Sequence, residues 1–291
     1  MKVKKKPAGM KQKIREERKK EERIAVIISA TILIVLIFIS GFLINSMLNQ
    51  PSTSQPVTST LEPKAAIVDQ LSLTYPNQTF IEIATNTLKQ AGYTVDYYQG
   101  EKVTVEFYKN LPTHNYGIII LRVHSTATNP DLAEVPVTLF TSERYDQTKY
   151  VYEQLTDQLF HVAFSSVEKE KGIIYFGITP LFVAQSMKGE LQNTVIIMMG
   201  CQGLGNSLMA KAFVEKGAKA YISWNQPVSA SHTDAATTYL LRHLVTEKQR
   251  IKQAVYDTMS EVGLDPAYNS VLGYYPSGVE NQTIENINAE G

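Results

Sequence analysis

The chain has 291 residues, 28 basic and 28 acidic side chains, and 44% hydrophobic residues. That hydrophobic share supplies a sizeable core and excludes a disordered or low-complexity chain. The zero net charge hides an asymmetry: the first 23 residues hold eleven Lys or Arg against four Glu, a net of +7, and the remainder carries −7.

After this basic segment, residues 1–23, residues 24–44 run for 21 positions without a charge and are rich in Ile, Leu, Val and Phe. As a helix rising about 1.5 Å per residue they measure roughly 31 Å, the thickness of a bilayer's hydrocarbon core. The run has no polar face, which argues against a buried core helix. It is longer than the roughly 7–15 apolar residues of a cleaved signal, and Asn45, Ser46, Met47 and Leu48 form a poor cleavage site. The expectation is an uncleaved signal anchor. The positive-inside rule keeps the basic N-terminus cytoplasmic and puts the C-terminal domain outside, giving a single-pass cell-membrane protein. The Lys/Arg cluster also suits anionic headgroups. Its short length and interleaved Glu argue against a nucleic-acid partner. Residues 45–63, with Pro51, Pro56 and Pro63 among Ser, Thr and Gln, read as a linker. Residues 64–291 fit one extracytoplasmic α/β domain.

Within that domain, residues 65–71 form a first candidate strand. Residues 79–90 have helical spacing, with Gly92 past the end as a cap, and 94–98 form a second strand. Residues 103–111 alternate like a strand, although a helix better suits a β-α-β unit. Residues 116–123 and 194–199 are nearly continuous apolar runs, the pattern of parallel strands buried on both faces. They end at His124 and at Gly200-Cys201. Residues 137–142 and 172–176 read as strands of a smaller insertion, and 181–191 as a helix. A helix over 207–216, a strand over 218–224 and helices over 232–245 and 249–262 complete the series. This alternation predicts a largely parallel sheet with helices on both faces.

Open parallel sheets collect reactive groups beyond the C-terminal ends of their strands. His124 and Cys201, the one cysteine, end the two most apolar strands. Were those strands neighbours, the imidazole could take the thiol proton and return it to a leaving group. The backbone N–H groups of Cys201 and Ser125 would then serve the oxyanion. Taken singly, each residue has a structural reading: a small buried hydrophobe for the cysteine and a satisfied strand-end residue for the histidine.

Cys201-Gln202-Gly203-Leu204-Gly205 resembles the Ala-Cys-Gln-Thr-Gly signature of the CHAT domain, a relative of caspases, separases and gingipains. Residues 208–213 are similar to that family's helix after the cysteine. Residues 216–224 resemble its Gly-Ala strand ending at a tryptophan, and 237–244 with 251–259 its closing helices. His124 matches the family's His-Gly position. Ser125 stands where the family has Gly, Gly200 where it has Ala, and the Thr after Gln202 is missing. The resemblance covers residues 116–262. It implies a caspase-like three-layer α/β sandwich with a mainly parallel central sheet, and a Cys201–His124 dyad for peptide-bond hydrolysis. In caspase-like peptidases the region of Asp234 often lines the pocket for the residue before the cleaved bond, where an acid suits a basic side chain; a first-turn helix acid is the plainer reading. Trp224 is a second candidate wall of that pocket, with a core Trp as its plainer reading.

Glu134, Glu143 and Asp146 fall in the insertion without an assignable role. His114, His161, His232 and His243 show no metal-ligand spacing, so no metal and no cofactor are expected. Gly203-Leu204-Gly205 is only part of a dinucleotide fingerprint, lacking the third Gly and its companion acid, so no nucleotide is expected. An α/β-hydrolase elbow needs Gly where Met199 stands. Such a hydrolase would also need a histidine after the cysteine, His232 or His243. Asn77 and Asn281 begin glycosylation sequons. The expected function is a membrane-anchored cysteine peptidase acting on peptides or proteins outside the cytoplasm. The alternative is a catalytically inactive domain of the same fold that binds them.

Overall fold

The computed structural model describes residue 20, residues 62–127 and residues 135–289. The expected basic segment (apart from Lys20), the membrane helix 24–44, the linker up to residue 61 and Glu134 lie outside the described residues. Among the described residues no helix is long and apolar enough to cross a membrane.

Among the described residues from 62 on, ten strands and nine α-helices build a mixed α/β architecture around two sheets. In the main sheet β1 (Lys64–Asp69) lies between β2 (Thr94–Gln99) and β3 (Tyr116–Arg122). Next come β8 (Val195–Met198), β9 (Ala220–Trp224) and β10 (Leu272–Tyr275). All neighbours run parallel except β10, which is antiparallel to β9. Side chains alternate between the two faces of each strand. Ala65, Ile67, Ile118, Ile120, Val195 and Ile197 therefore enter one core, and Ala66, Val68, Ile119, Leu121, Ile196 and Met198 another. Helices α1 (Gln78–Gln90), α7 (Ala230–Leu241) and α8 (Ile251–Val262) fill the first core; α5 (Pro180–Gln185) and α6 (Leu208–Glu215) fill the second. Burial on both faces explains why β3 and β8 read as unbroken apolar runs.

The second sheet is antiparallel and formed by the chain between β3 and β8. Its order is β4 (Ser125–Ala127), β5 (Val137–Arg144), β7 (Tyr175–Ile178) and β6 (Leu159–Val162). The ambiguous stretch 103–111 is the helix α2 (Val105–Asn110), because Thr104 Oγ1 accepts from the Phe107 N–H as an N-cap. Two short helices, α3 (Val151–Leu155) and α4 (Ser166–Glu170), flank this sheet. The strand expected from residue 172 begins at Tyr175: Gly172, at φ 68°, closes α4 instead. The helix expected over 181–191 stops at Gln185, where the chain turns to bond Lys188 N–H to the Lys109 carbonyl. α7 ends in a π-turn over Arg242–Thr246, and α9 (Ile284–Ala289) closes the domain.

Candidate active site

The two candidate residues follow the ends of neighbouring parallel strands. Ile118 lies opposite Val195 and Leu121 opposite Met198. Past Met199, whose N–H donates to the Leu121 carbonyl, the ladder ends: Gly200 lies close against the Val123 carbonyl and Ser125 Oγ, and Gln202 N–H turns to the Gln226 carbonyl. His124 and Cys201 line one cleft of about 460 Å³ at the C-terminal edge of the sheet. Its other walls come from the β1–α1 connection (Leu71, Tyr75), the β9–α7 connection (Val228, Ser229) and the α8–β10 connection (Tyr268).

His124 is held from several sides. Its N–H donates to the Oε1 of the buried Gln70 at 2.9 Å, and its carbonyl accepts from Phe140 N–H at 2.9 Å. The ring lies among Tyr75, Phe140 and Phe164. Nε2 is 2.9 Å from Thr74 Oγ1. With the hydroxyl accepting, Nε2 carries the ring proton and Nδ1 has a free lone pair for base chemistry. Burial, aided by the nearby Arg122, lowers the His124 pKa to about 4. Burial also pushes the Cys201 thiol up, and Asp265 adds to that rise. Cys201 donates to the Val228 carbonyl at 3.7 Å. The resting pair is thus a neutral thiol and a neutral imidazole.

The two backbone donors expected for an oxyanion take their orientation from the second sheet and from the turn after β8. The bond from Phe140 N–H to the His124 carbonyl marks a hydrogen-bonded position of the β4–β5 ladder. Ser125, next along and opposite Leu139, is then at a non-hydrogen-bonded position, with its N–H directed away from β5. Its side-chain Oγ donates to the Cys201 carbonyl at 2.6 Å. A Cβ on Gly200 would run into that Oγ and into the Val123 carbonyl, which explains why Gly stands there. Gln202, directly after the cysteine, adopts a left-handed φ of 57°. Such strain costs about 1–3 kcal/mol and concentrates at functional sites.

The remaining candidates sit away from the cleft lining. Trp224 is only 1% exposed; its Nε1 donates to Thr233 Oγ1, which donates to the Met199 carbonyl. It props the turn before Cys201 from within the core. Asp234 belongs to a buried ion-pair cluster. Arg122, with no exposure, donates Nε and Nη2 to Asp234 (2.7 and 2.8 Å), Nη1 to Asp69 (2.7 Å) and Nη2 also to the Tyr75 carbonyl (2.7 Å). Burial alone would lower the Arg122 pKa, but the bonds to Asp234 and Asp69 outweigh it. Asn77 adds a bond from Nδ2 to Asp234 Oδ2 at 2.8 Å while its Oδ1 caps α1, so this sequon amide is committed inside the domain. Asn281 is exposed.

His232 lies tilted against Trp224 and His243 pairs with Glu247, so neither shares the cleft with Cys201. Glu143 anchors Val105 N–H, Lys149 and Tyr150, and Asp146 caps Thr148. His161 stands beside Tyr145, and His114 stacks on Tyr116. Among the described residues no group of three or more His, Cys, Asp or Glu could hold a metal ion.

Sequence reasoning passed over Gln70, Thr74, Arg122 and Asp265. Burial alone would raise the Asp265 carboxyl, but N–H groups of Ser229, Ala267 and Tyr268 outweigh it and hold it low. It thereby ties two walls of the cleft together. A charged Arg122 inside an apolar strand was the available signal, because a buried charge demands a partner. Comparison of the sequence with protein-family models and with curated proteins finds no match to either.

Proposed function

We propose that this chain is a membrane-anchored cysteine peptidase of caspase-like fold, hydrolysing peptide bonds outside the cytoplasm with Cys201 and His124. The observation that carries this reading is that Cys201 and His124, at the ends of neighbouring central strands, line one cleft while Thr74 Oγ1 lies 2.9 Å from the imidazole Nε2. The mainly parallel sheet flanked on both faces by helices is in keeping with the CHAT-like motifs over residues 116–262.

In this mechanism His124 Nδ1 takes the thiol proton as Sγ attacks the peptide carbonyl carbon. Because the resting pair is neutral, proton transfer and attack proceed together rather than from a preformed thiolate. The N–H groups of Cys201 and Ser125 receive the oxyanion. The C–N bond then breaks as the imidazolium returns its proton to the leaving amine. Water, deprotonated by His124, hydrolyses the thioester and frees Cys201.

The test uses the full chain in detergent and a panel of peptidyl acyloxymethyl ketones, with labelling of Cys201 followed by intact mass. His124→Ala should slow labelling by about 10²-fold or more. A rate that ignores His124→Ala would sink the peptidase reading. It would favour the second reading, a peptide-binding domain without activity, to which the raised thiol and lowered imidazole are equally suited.

A further inference from the structure

The chemistry of an acyl-enzyme divides the surface around His124 into two sides. The acyl carbon becomes bonded to Cys201 Sγ, so the residue contributing that carbonyl places its side chain in the cleft Cys201 lines. The leaving amine collects its proton from His124, so the residues after the bond run to the far side of the ring. There a second cleft of about 500 Å³, lined by His124, Ser125, Phe140, Phe164 and Lys169, lacks the cysteine.

Resting on the peptidase reading, we propose that the Cys201 cleft selects an uncharged apolar side chain, aliphatic or aromatic, on the acyl side of the cleaved bond. Its floor is Leu71, Met199, Val228 and Thr233, all buried. Its rim carries Tyr75 and Tyr268, which are 55% and 51% exposed. Apart from His124 and Cys201 themselves, every lining side chain is neutral. The polar groups of the floor are already engaged: Thr233 Oγ1 by Trp224 and Met199, and the Ser229 N–H by Asp265.

The acids nearest in the fold are equally committed. Asp234 holds Arg122 through both oxygens and Asn77 through Oδ2. Asp69 holds Arg122 through Oδ1 and the Tyr97 hydroxyl through Oδ2. Asp265 accepts three backbone N–H groups. A substrate Arg, Lys, Asp or Glu entering this slot would lose water without gaining a partner of opposite charge. An apolar chain between the two tyrosines would lose nothing and shed its own hydration. The pocket acid that motif resemblance suggests for a basic substrate is thus already bound by Arg122 and Asn77.

The experiment labels the full chain in detergent with four acyloxymethyl ketone peptides that differ only in the acyl-side residue: Leu, Phe, Arg or Asp. The Leu and Phe probes should modify Cys201 about tenfold faster or more than the Arg and Asp probes. Ser231→Asp, an exposed change on the same cleft, should narrow the gap for the Arg probe. Equal rates for all four, or a charged probe reacting fastest, would overturn the inference and leave the peptidase reading standing. An Arg rate that Ser231→Asp leaves unchanged would put the acyl-side residue elsewhere and overturn it as well. Labelling by every probe that ignores His124→Ala would instead remove the peptidase reading, and this inference with it.

Discussion

Ser125 Oγ donates to the Cys201 carbonyl at 2.6 Å, tying the start of β4 to the turn after β8. The residue after the histidine and the cysteine therefore move together, and with them the two N–H groups assigned to the oxyanion. The tie also couples positions 125 and 200. Ser at 125 occupies room that an Ala at 200 would need.

Gly200→Ala should destabilise the domain by about 1–3 kcal/mol, the usual cost of overpacking. Ser125→Gly in the same chain should recover part of the loss and not all of it, because the Val123 carbonyl also blocks a Cβ at 200. Urea unfolding of the two single variants and the double variant measures the coupling. Purely additive losses would break the link between the two positions.

Thr74→Val removes the partner of His124 Nε2 while keeping the side chain's shape. Both ring tautomers then become accessible, and Cys201 labelling should slow by roughly tenfold. Thr74→Ser should retain the rate. A Thr74→Val rate equal to wild type would remove Thr74 from the positioning of the ring.

Acid should weaken the fold through His124. Its pKa in the folded chain is about 4, below the ordinary 6.5, so across that window the unfolded chain binds a proton that the folded chain does not. Stability therefore falls as pH drops from about 6.5 to about 4, by up to about 3 kcal/mol, and the loss is complete below that range. His124→Gln should flatten this part of the stability-pH curve, measured by urea unfolding. The labelling rate should rise through about pH 4 to a plateau, because the neutral imidazole is the base. A rate that climbs only at alkaline pH would point to the thiolate alone.

Arg122→Met leaves Asp69 and Asp234 facing each other, buried and uncompensated. The expected cost is about 3–5 kcal/mol, read as a lower urea midpoint by circular dichroism. Asp234→Asn keeps an acceptor for the guanidinium and should cost less. If Arg122→Met leaves the midpoint unchanged, the cluster does not hold the floor of the cleft.

Much of the main sheet was legible because β3 and β8 are buried on both faces and leave unbroken apolar runs in the sequence. What each strand ends in was equally plain. That His124 and Cys201 line one cleft was not, since it depends on which strands pair, a relation between elements far apart in the chain. Asp234 shows the same gap from the other side: its place in the first turns of α7 was readable, but the guanidinium that claims it comes from β3. The short strands β4, β6 and β10 escaped because three or four residues carry too little periodicity to outweigh their neighbours. Residues 172–174 were misread because Gly172 closes a helix that leaves no apolar stripe.

The polarity of β1 separates attachment from access. The chain enters the strand at Lys64, where the Pro63 carbonyl is clasped by Thr94 N–H, and leaves it at Asp69, beside the cleft. Six residues at about 3.3 Å each set these points roughly 20 Å apart. Asn288 of α9 bonds back to the Gly117 and Asn193 carbonyls, near the starts of β3 and β8, so the last helix gathers at the entry end too. Both exits of the folded unit share one pole and the cleft occupies the other. A fusion partner, bead or surface linked through either exit should leave the mouth open to a bulky polypeptide.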